Sequence, residues 1–85
     1  MIGDLVVSKA GRDCGRHFVI IDTDDKGYVY VADGEFRKIA APKRKNPKHL
    51  ATLEDKLDII AAKLNEGKQV FDAELRSALR KYNQK

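Results

Sequence analysis

Short β-branched runs and tight turns alternate through the first half of the chain, and a helical period replaces them after about residue 52. Leu5-Val6-Val7 reads as a first strand and residues 16–22 as a second, apolar at consecutive positions from Phe18 to Ile21. Consecutive apolar positions require both faces of that strand to be covered. Asp24-Asp25-Lys26-Gly27 carries turn chemistry, because short acids bond nearby amides and glycine accepts a left-handed backbone. Tyr28 to Ala32 is the clearest strand, aromatic and β-branched throughout. Asp33-Gly34 is a hairpin signal, and it predicts a fourth strand over Phe36 to Ile39. Pro42 and Pro47 bracket Lys43-Arg44-Lys45-Asn46 as an extended basic loop, since neither proline suits a central strand. Lys48-His49-Leu50 is expected as a brief fifth strand. Short strands at this spacing predict a small antiparallel barrel, closed so that few edges remain open.

Beyond Ala51, Thr52-Leu53-Glu54-Asp55 has the pattern of a capping box. Leu53, Leu57, Ile60, Ala61 and Leu64 then share one helical face, and Asn65 and Gly67 end that helix. A second helix is predicted from near Asp72, with Phe71, Leu75, Ala78, Leu79 and Tyr82 on one face. Arg76, Arg80 and Lys81 charge its C-terminal half, which complements the helix dipole. Helices of about twelve residues are marginal alone in water. They are expected to pack on the barrel or on each other, covering the second face of Phe18–Ile21 and Tyr28 with Tyr30; the alternative is a partner protein filling their apolar stripe. The fold class is mainly β with C-terminal α, residues 1–51 forming the barrel and residues 52–85 a two-helix hairpin.

Eighty-five residues suit one domain, and a chain this short buries only about 60% of its unfolded surface. The longest apolar runs are far too short to cross a bilayer, so no membrane association is expected. Met1-Ile2-Gly3-Asp4 lacks the basic and apolar regions of a secretory signal. One cysteine excludes an internal disulfide framework and fits a reducing compartment, so a cytoplasmic location is expected. The net charge of +4 is mild, but its distribution is uneven. Residues 37–49 carry bases and no acid, whereas three acids fall within residues 22–25. Such segregation favours a directional electrostatic surface.

Enzyme chemistry finds no foothold. Ser8 and Ser77 have no evident base, no glycine fingerprint precedes a helix, and no carboxylates pair in an apolar setting. Asp22, Asp24 and Asp33 have a superficial calcium-loop spacing, but Lys26 occupies a ligand position and the flanks read as strands. Cys14 and His17 are two ligands, too few for zinc. No cofactor, metal or small-molecule substrate is expected. A nuclear-localisation reading of Pro42 to Lys45 competes with phosphate contact for the same residues.

Residues 3–16 followed by Phe18-Val19-Ile20 resemble the KOW motif, with close agreement at Gly11, Asp13, Gly15 and Arg16. Cys14 stands where a lysine is common, and His17-Phe18 where Arg-Gly often occurs. Further likeness, in Ala32-Asp33-Gly34, Arg37-Lys38 and Asn46-Pro47-Lys48-His49-Leu50, is similar to the fourteen-e type of large-subunit ribosomal protein and to small bacterial KOW-domain proteins. The resemblance covers about fifty residues and leaves the helical tail unexplained. It implies an SH3-like barrel that binds RNA, usually ribosomal RNA, through the loops at one end.

The residues suit that chemistry. Lys9, Arg12 and Arg16 supply charge from one loop whose glycines let backbone approach phosphate. Arg37, Lys38, Lys43, Arg44, Lys45 and Lys48 extend a phosphate track. His17, His49, Tyr28 and Tyr30 are rings that could stack on bases, although core packing accounts for them more simply. Gly11, Asp13 and Gly15 are read as the turn's structural frame, Asp13 bonding amides or pairing with a neighbouring base. The expected function is non-catalytic RNA binding. The alternative, from a different class, is an adaptor that binds a ribosomal or transcription protein through the barrel or the helices.

Overall fold

A computed structural model describes residues 1–83. Five strands are followed by two helices: β1 (Leu5–Ser8), β2 (His17–Thr23), β3 (Val29–Ala32), β4 (Lys43–Lys45), β5 (Leu50–Thr52), α1 (Asp58–Asn65) and α2 (Asp72–Asn83). All pairings are antiparallel, in the order β4-β3-β2-β1-β5.

The alternation of side chains divides this sheet into two buried faces. Leu5 pairs with Val19 and Val19 with Ala32, so these three line up across β1, β2 and β3. They pack with Ile60 of α1, Val70, and Leu75 and Leu79 of α2. On the opposite face Val6, Phe18, Ile20, Val29 and Val31 form a second cluster, closed by Leu50 with no helical residue among the described ones. Phe18 is fully buried there, so the sheet must curl over its own concave face. Lys45 confirms the curvature. In a flat sheet β4 and β1 lie three strand spacings, or about 14 Å, apart, farther than a lysine side chain reaches. Yet Lys45 Nζ donates to Ser8 Oγ at 3.0 Å. A register shift between Ile20 and Asp22 supplies a bulge, which sharpens the local twist.

The expected barrel does not close. Strands β4 and β5 are the two edges of the sheet, joined only through Asn46 and a 3-10 turn over Pro47–His49. The turn follows from local chemistry: the Asn46 side chain accepts from the Lys48 amide, and Pro47 sits where its missing N–H costs nothing. It displaces the expected strand at Lys48–Leu50 to Leu50–Thr52, where it pairs with β1.

Residues 36–39 do not form the predicted fourth strand. Asp33 folds residues 33–37 into a compact loop, and β4 falls instead between the two prolines, where a loop was expected. Its Lys-Arg-Lys sequence suits an edge, because charge there blunts further pairing. The predicted capping box is also absent. Thr52 pairs with Val6 and the Leu53 amide donates to Leu5 O, so strand pairing claims the residues that local propensity assigned to a helix. Helix α1 begins only at Asp58, with no side-chain cap.

Helix α2 begins where the sequence placed it and buries Leu75 and Leu79, with Ala78 and Tyr82 packed beside them. Phe71 does not join that face: it precedes the helix and is 60% exposed. Tyr28 and Tyr30 are not covered by helices either; they engage Arg44 and Asp24. No helix among the described residues is long and apolar enough to cross a membrane.

Gly34 brings the loop after β3 into close contact with the start of α2. Its φ is +78°, and a Cβ there would overlap the Asp72 carbonyl oxygen at the start of α2. Gly27 has a similar φ of +86° but faces open space. Both Gly→Ala changes therefore carry the left-handed penalty of about 1–2 kcal/mol. Gly34→Ala adds an overpacking cost of about 1–3 kcal/mol. Urea denaturation is expected to show a larger loss for Gly34→Ala than for Gly27→Ala; equal losses would mean that the helix yields freely at this contact.

Candidate nucleic-acid interface

The loop of residues 9–16 is a compact turn built on two left-handed glycines, Gly11 at φ +79° and Gly15 at φ +89°. The Cys14 amide donates to Gly11 O at 3.2 Å, Arg16 to Asp13 O at 2.9 Å, and Gly15 to Ser8 O at 2.8 Å. Those amides are engaged inside the loop, so what it offers an anion is chiefly side-chain charge. Asp13 pairs with Arg37 Nη2 at 3.3 Å, bracing the turn against the β3–β4 loop.

Asp33 is the hub of that second loop. Its side chain is fully buried, and Oδ1 accepts from the Glu35 and Arg37 amides at 2.9 and 2.8 Å. Oδ2 accepts from Arg16 Nε, and Arg16 Nη2 reaches Glu35 Oε1 at 3.2 Å. The guanidinium also lies over the Phe36 ring, 3.9 Å from its centroid. A carboxylate this buried requires such partners, since an unpaired buried charge costs several kcal/mol.

The expected contact residues divide into braced and free groups. Arg16 and Arg37 carry carboxylate partners, and both also hold loops in place. Lys45 departs from the expected track altogether: it is buried, and its ammonium is bonded to Ser8 Oγ and to Ala10 O at 3.3 Å. Arg44 turns toward the far end of β2, pairing with Asp24 Oδ2 at 3.0 Å and stacking over Tyr28 at 3.9 Å. His17 is half-buried against Tyr82, with centroids 5.3 Å apart, and its Nδ1 has no hydrogen-bond partner among the described residues. It is not an open platform for a base. His49 is exposed.

Lys9, Arg12, Lys38, Lys43 and Lys48 are exposed and have no ion pair among the described residues. The segments that carry them are stitched together. The Lys9 amide donates to His49 O at 2.8 Å, Lys45 ties Ala10 to β4, and Asp13–Arg37 joins the first loop to the second. The 9–16 loop, the 33–42 loop and the 3-10 turn thus meet around one end of the curled sheet.

Sequence reasoning missed three contributors. Asp33 was legible only as a turn residue, because its burial depends on Arg16 arriving from 17 positions away. Arg76 and Arg80 were read as dipole partners, yet they line a cleft with Arg16, Asp33 and Glu35. Their spacing of one helical turn was the available signal. No group of three or more metal-ligating residues occurs among the described residues; Asp24, the centre of the apparent calcium spacing, instead accepts from the Lys26 and Tyr28 amides.

No family model matches the chain. The chain is similar to the large ribosomal subunit protein eL14 of Staphylothermus marinus, 34% identical over 58 residues, a stretch covering 68% of this chain and 60% of that protein. The chain therefore matches less than two thirds of that relative's length. This supports the ribosomal side of the resemblance and carries nothing on bacterial KOW-domain proteins.

Asp24 gives the far end of β2 a titratable latch. Desolvation alone pushes its pKa up, but hydrogen bonds from the Tyr28 and Lys26 amides, from Arg44 and from Tyr30 outweigh it and hold the carboxyl below its ordinary value. A depressed folded-state pKa contributes stability that is present above the unfolded value of about 3.9 and is lost as pH falls through the lowered one. Arg44→Met keeps an apolar stem over Tyr28 and removes the charge. By NMR titration the Asp24 midpoint should rise without reaching the ordinary value, since both amides remain. The wild type's stability advantage over Arg44→Met should vanish in acid; an advantage that persists below that range would mean packing, not charge, holds the latch.

Proposed function

We propose that this chain is a non-catalytic RNA-binding protein of KOW type, with an SH3-like sheet that presents one basic end to structured RNA, ribosomal RNA foremost. The observation that carries this reading is the set of exposed cations Lys9, Arg12, Lys38, Lys43 and Lys48, without ion pairs among the described residues, on segments tied together by backbone and side-chain hydrogen bonds. Similarity to a large-subunit ribosomal protein supports it. The mechanism is phosphate neutralisation. Lys9, Arg12, Lys38, Lys43 and Lys48 approach the backbone, each releases condensed counterions, and Arg16 and Arg37 behind them keep the loops in shape. His49, exposed beside Lys48, is available to stack on an unpaired base.

A second reading draws on a separate observation. Ile59 on α1 and Phe71 ahead of α2 are 71% and 60% exposed, apolar surface that an adaptor would use against a ribosomal or transcription protein. Nuclease treatment separates the two readings. RNA-held chain leaves the heavy gradient fractions, whereas protein-held chain stays.

Engagement of all five free cations predicts a log–log salt slope of about −4, at 0.7–0.9 per phosphate. Replacing Lys9, Arg12, Lys43 and Lys48 together with Gln should reduce the slope by about 3 and weaken binding to structured RNA at least tenfold. Arg44→Gln, whose charge is already matched by Asp24, should change the slope by less than one. Unchanged affinity and slope in the quadruple variant would overturn the assignment.

A further inference from the structure

A second candidate site lies between α2 and residues 33–37. Gly34 sets the distance between its walls: a Cβ there would lie 2.8 Å from Arg76 N, so the bare backbone lets the loop settle against the helix. Arg76 and Arg80 stand one turn apart on α2, a spacing that puts Cβ atoms about 6 Å from each other. Both are exposed and without an ion pair among the described residues. With Arg16, Asp33, Glu35 and the buried Leu79 they line a cleft of about 440 Å³.

The charges in this cleft do not cancel. Arg16 Nε donates to the fully buried Asp33 and Arg16 Nη2 reaches Glu35 at 3.2 Å, so one guanidinium braces both carboxylates. Three arginines against two acids leave one surplus positive charge, and the two arginines with no carboxylate partner are those on α2. A phosphodiester carries a single negative charge and two non-bridging oxygens, one for each guanidinium fork. The loops that wall the cleft name the molecule that brings it. Residues 9–16 supply both Arg16 and Arg12, and residues 33–42 supply both Glu35 and Lys38, so the cleft shares two loops with the basic end. An acidic peptide offers the same charge without that continuity.

We propose that Arg76 and Arg80 grip one backbone phosphodiester of the bound RNA in this cleft, with Arg16 and its two carboxylates as the braced wall behind it. The assignment deepens the RNA-binding reading and rests on it, but it uses a different set of residues. Glu35, whose side chain is 50% exposed, repels further phosphates, so the cleft takes one and marks an end of the track. The lysines supply diffuse attraction, whereas paired guanidiniums hold a phosphate through directed hydrogen bonds and fix the register of the backbone.

The test is binding of an RNA hairpin to the full chain, read by the salt dependence of its affinity and by NMR of the arginine Nε–H groups. RNA should shift the Nε–H signals of Arg76 and Arg80. Arg76→Gln with Arg80→Gln should flatten the log–log salt slope by about 0.7–0.9, the share of one phosphate, and weaken binding about tenfold. Arg76→Lys with Arg80→Lys keeps the charge and should keep the slope, while losing affinity with the guanidinium forks. Lys26→Gln, an exposed charge lost at the far end of β2, should leave the slope unchanged. An unaltered slope and affinity in the glutamine pair, an equal loss of slope in the lysine pair, or RNA shifts that bypass Arg76 and Arg80 would overturn the cleft assignment and leave the lysine-bearing surface standing. Shifts at both arginines, with binding undiminished when Lys9, Arg12, Lys43 and Lys48 are replaced by Gln, would instead overturn the lysine track and keep the cleft. A hexaglutamate peptide that shifts the two Nε–H signals more strongly than RNA at equal ionic strength would assign the cleft to a protein ligand and sink the proposal. Absence of any RNA binding would sink both.

Discussion

The fully buried Asp33 carboxylate is the constraint on which the arrangement of loops depends. Removed from water, it must be surrounded by donors, and the chain supplies two amides from its own loop and a guanidinium from the loop before β2. Satisfying one charge therefore fixes three things at once. Residues 33–37 wrap into a turn where an extending strand was expected, Arg16 is drawn inward across Phe36, and Gly34 is pressed against the first carbonyl of α2. Replacing a buried pair with apolar groups is often neutral, whereas removing one partner is costly. Asp33 and Arg16 are thus better read as setting geometry than as adding net stability.

The same division runs through the rest of the charge. Arg16, Arg37 and Arg44 each meet a carboxylate, while most of the lysines along the same segments remain in water. The chemistry explains the split. A planar guanidinium is weakly hydrated and matches carboxylates through several donors, whereas an ammonium is a compact, strongly hydrated charge on a flexible stem. Two residues depart from the pattern: Arg12 stays exposed without an ion pair among the described residues, and the curled sheet places Lys45 over Ser8 and Ala10, whose oxygens replace its lost water. A surface built this way has rigid loops behind adaptable charges, which suits phosphate contact without sequence reading.

How much of this the sequence disclosed varied with the range of the forces involved. Strands β1, β2 and β3, the acidic turn at residues 24–27 and the start of α2 depend on short-range pattern, and each was legible. The two-sided burial of β2 was legible from Phe18 to Ile21, four apolar residues in a row, although not which cover lay on which face. Residues 33–57 were misread because distant partners overrule local preference there. Asp33 answers to Arg16, Thr52 to Val6, and β4 to the edge of β3. The candidate interface was legible as a set of bases but not as a division of labour, because a basic residue looks the same in sequence whether or not a carboxylate awaits it.

Helix α2 is the element whose role changes most once these contacts are considered together. At its first residue, Asp72 Oδ1 accepts from the Ile39 amide at 2.7 Å, and the backbone there meets Gly34. At its last, the Asn83 carboxamide clamps the start of β2, accepting from His17 N at 2.8 Å and donating to His17 O at 3.1 Å. Between them Leu75 and Leu79 pack on Val19 and Ala32. The helix is therefore fastened at both ends to the loops that frame the basic surface, and its middle is fastened to the sheet from which those loops emerge. Undocking it would free Ile39 and Gly34 on one side and the residue next to Arg16 on the other, loosening the partners of Asp33. The order of the candidate interface thus depends on a helix that carries none of its exposed lysines, which makes α2 part of the framework behind that surface and not an appendage to it.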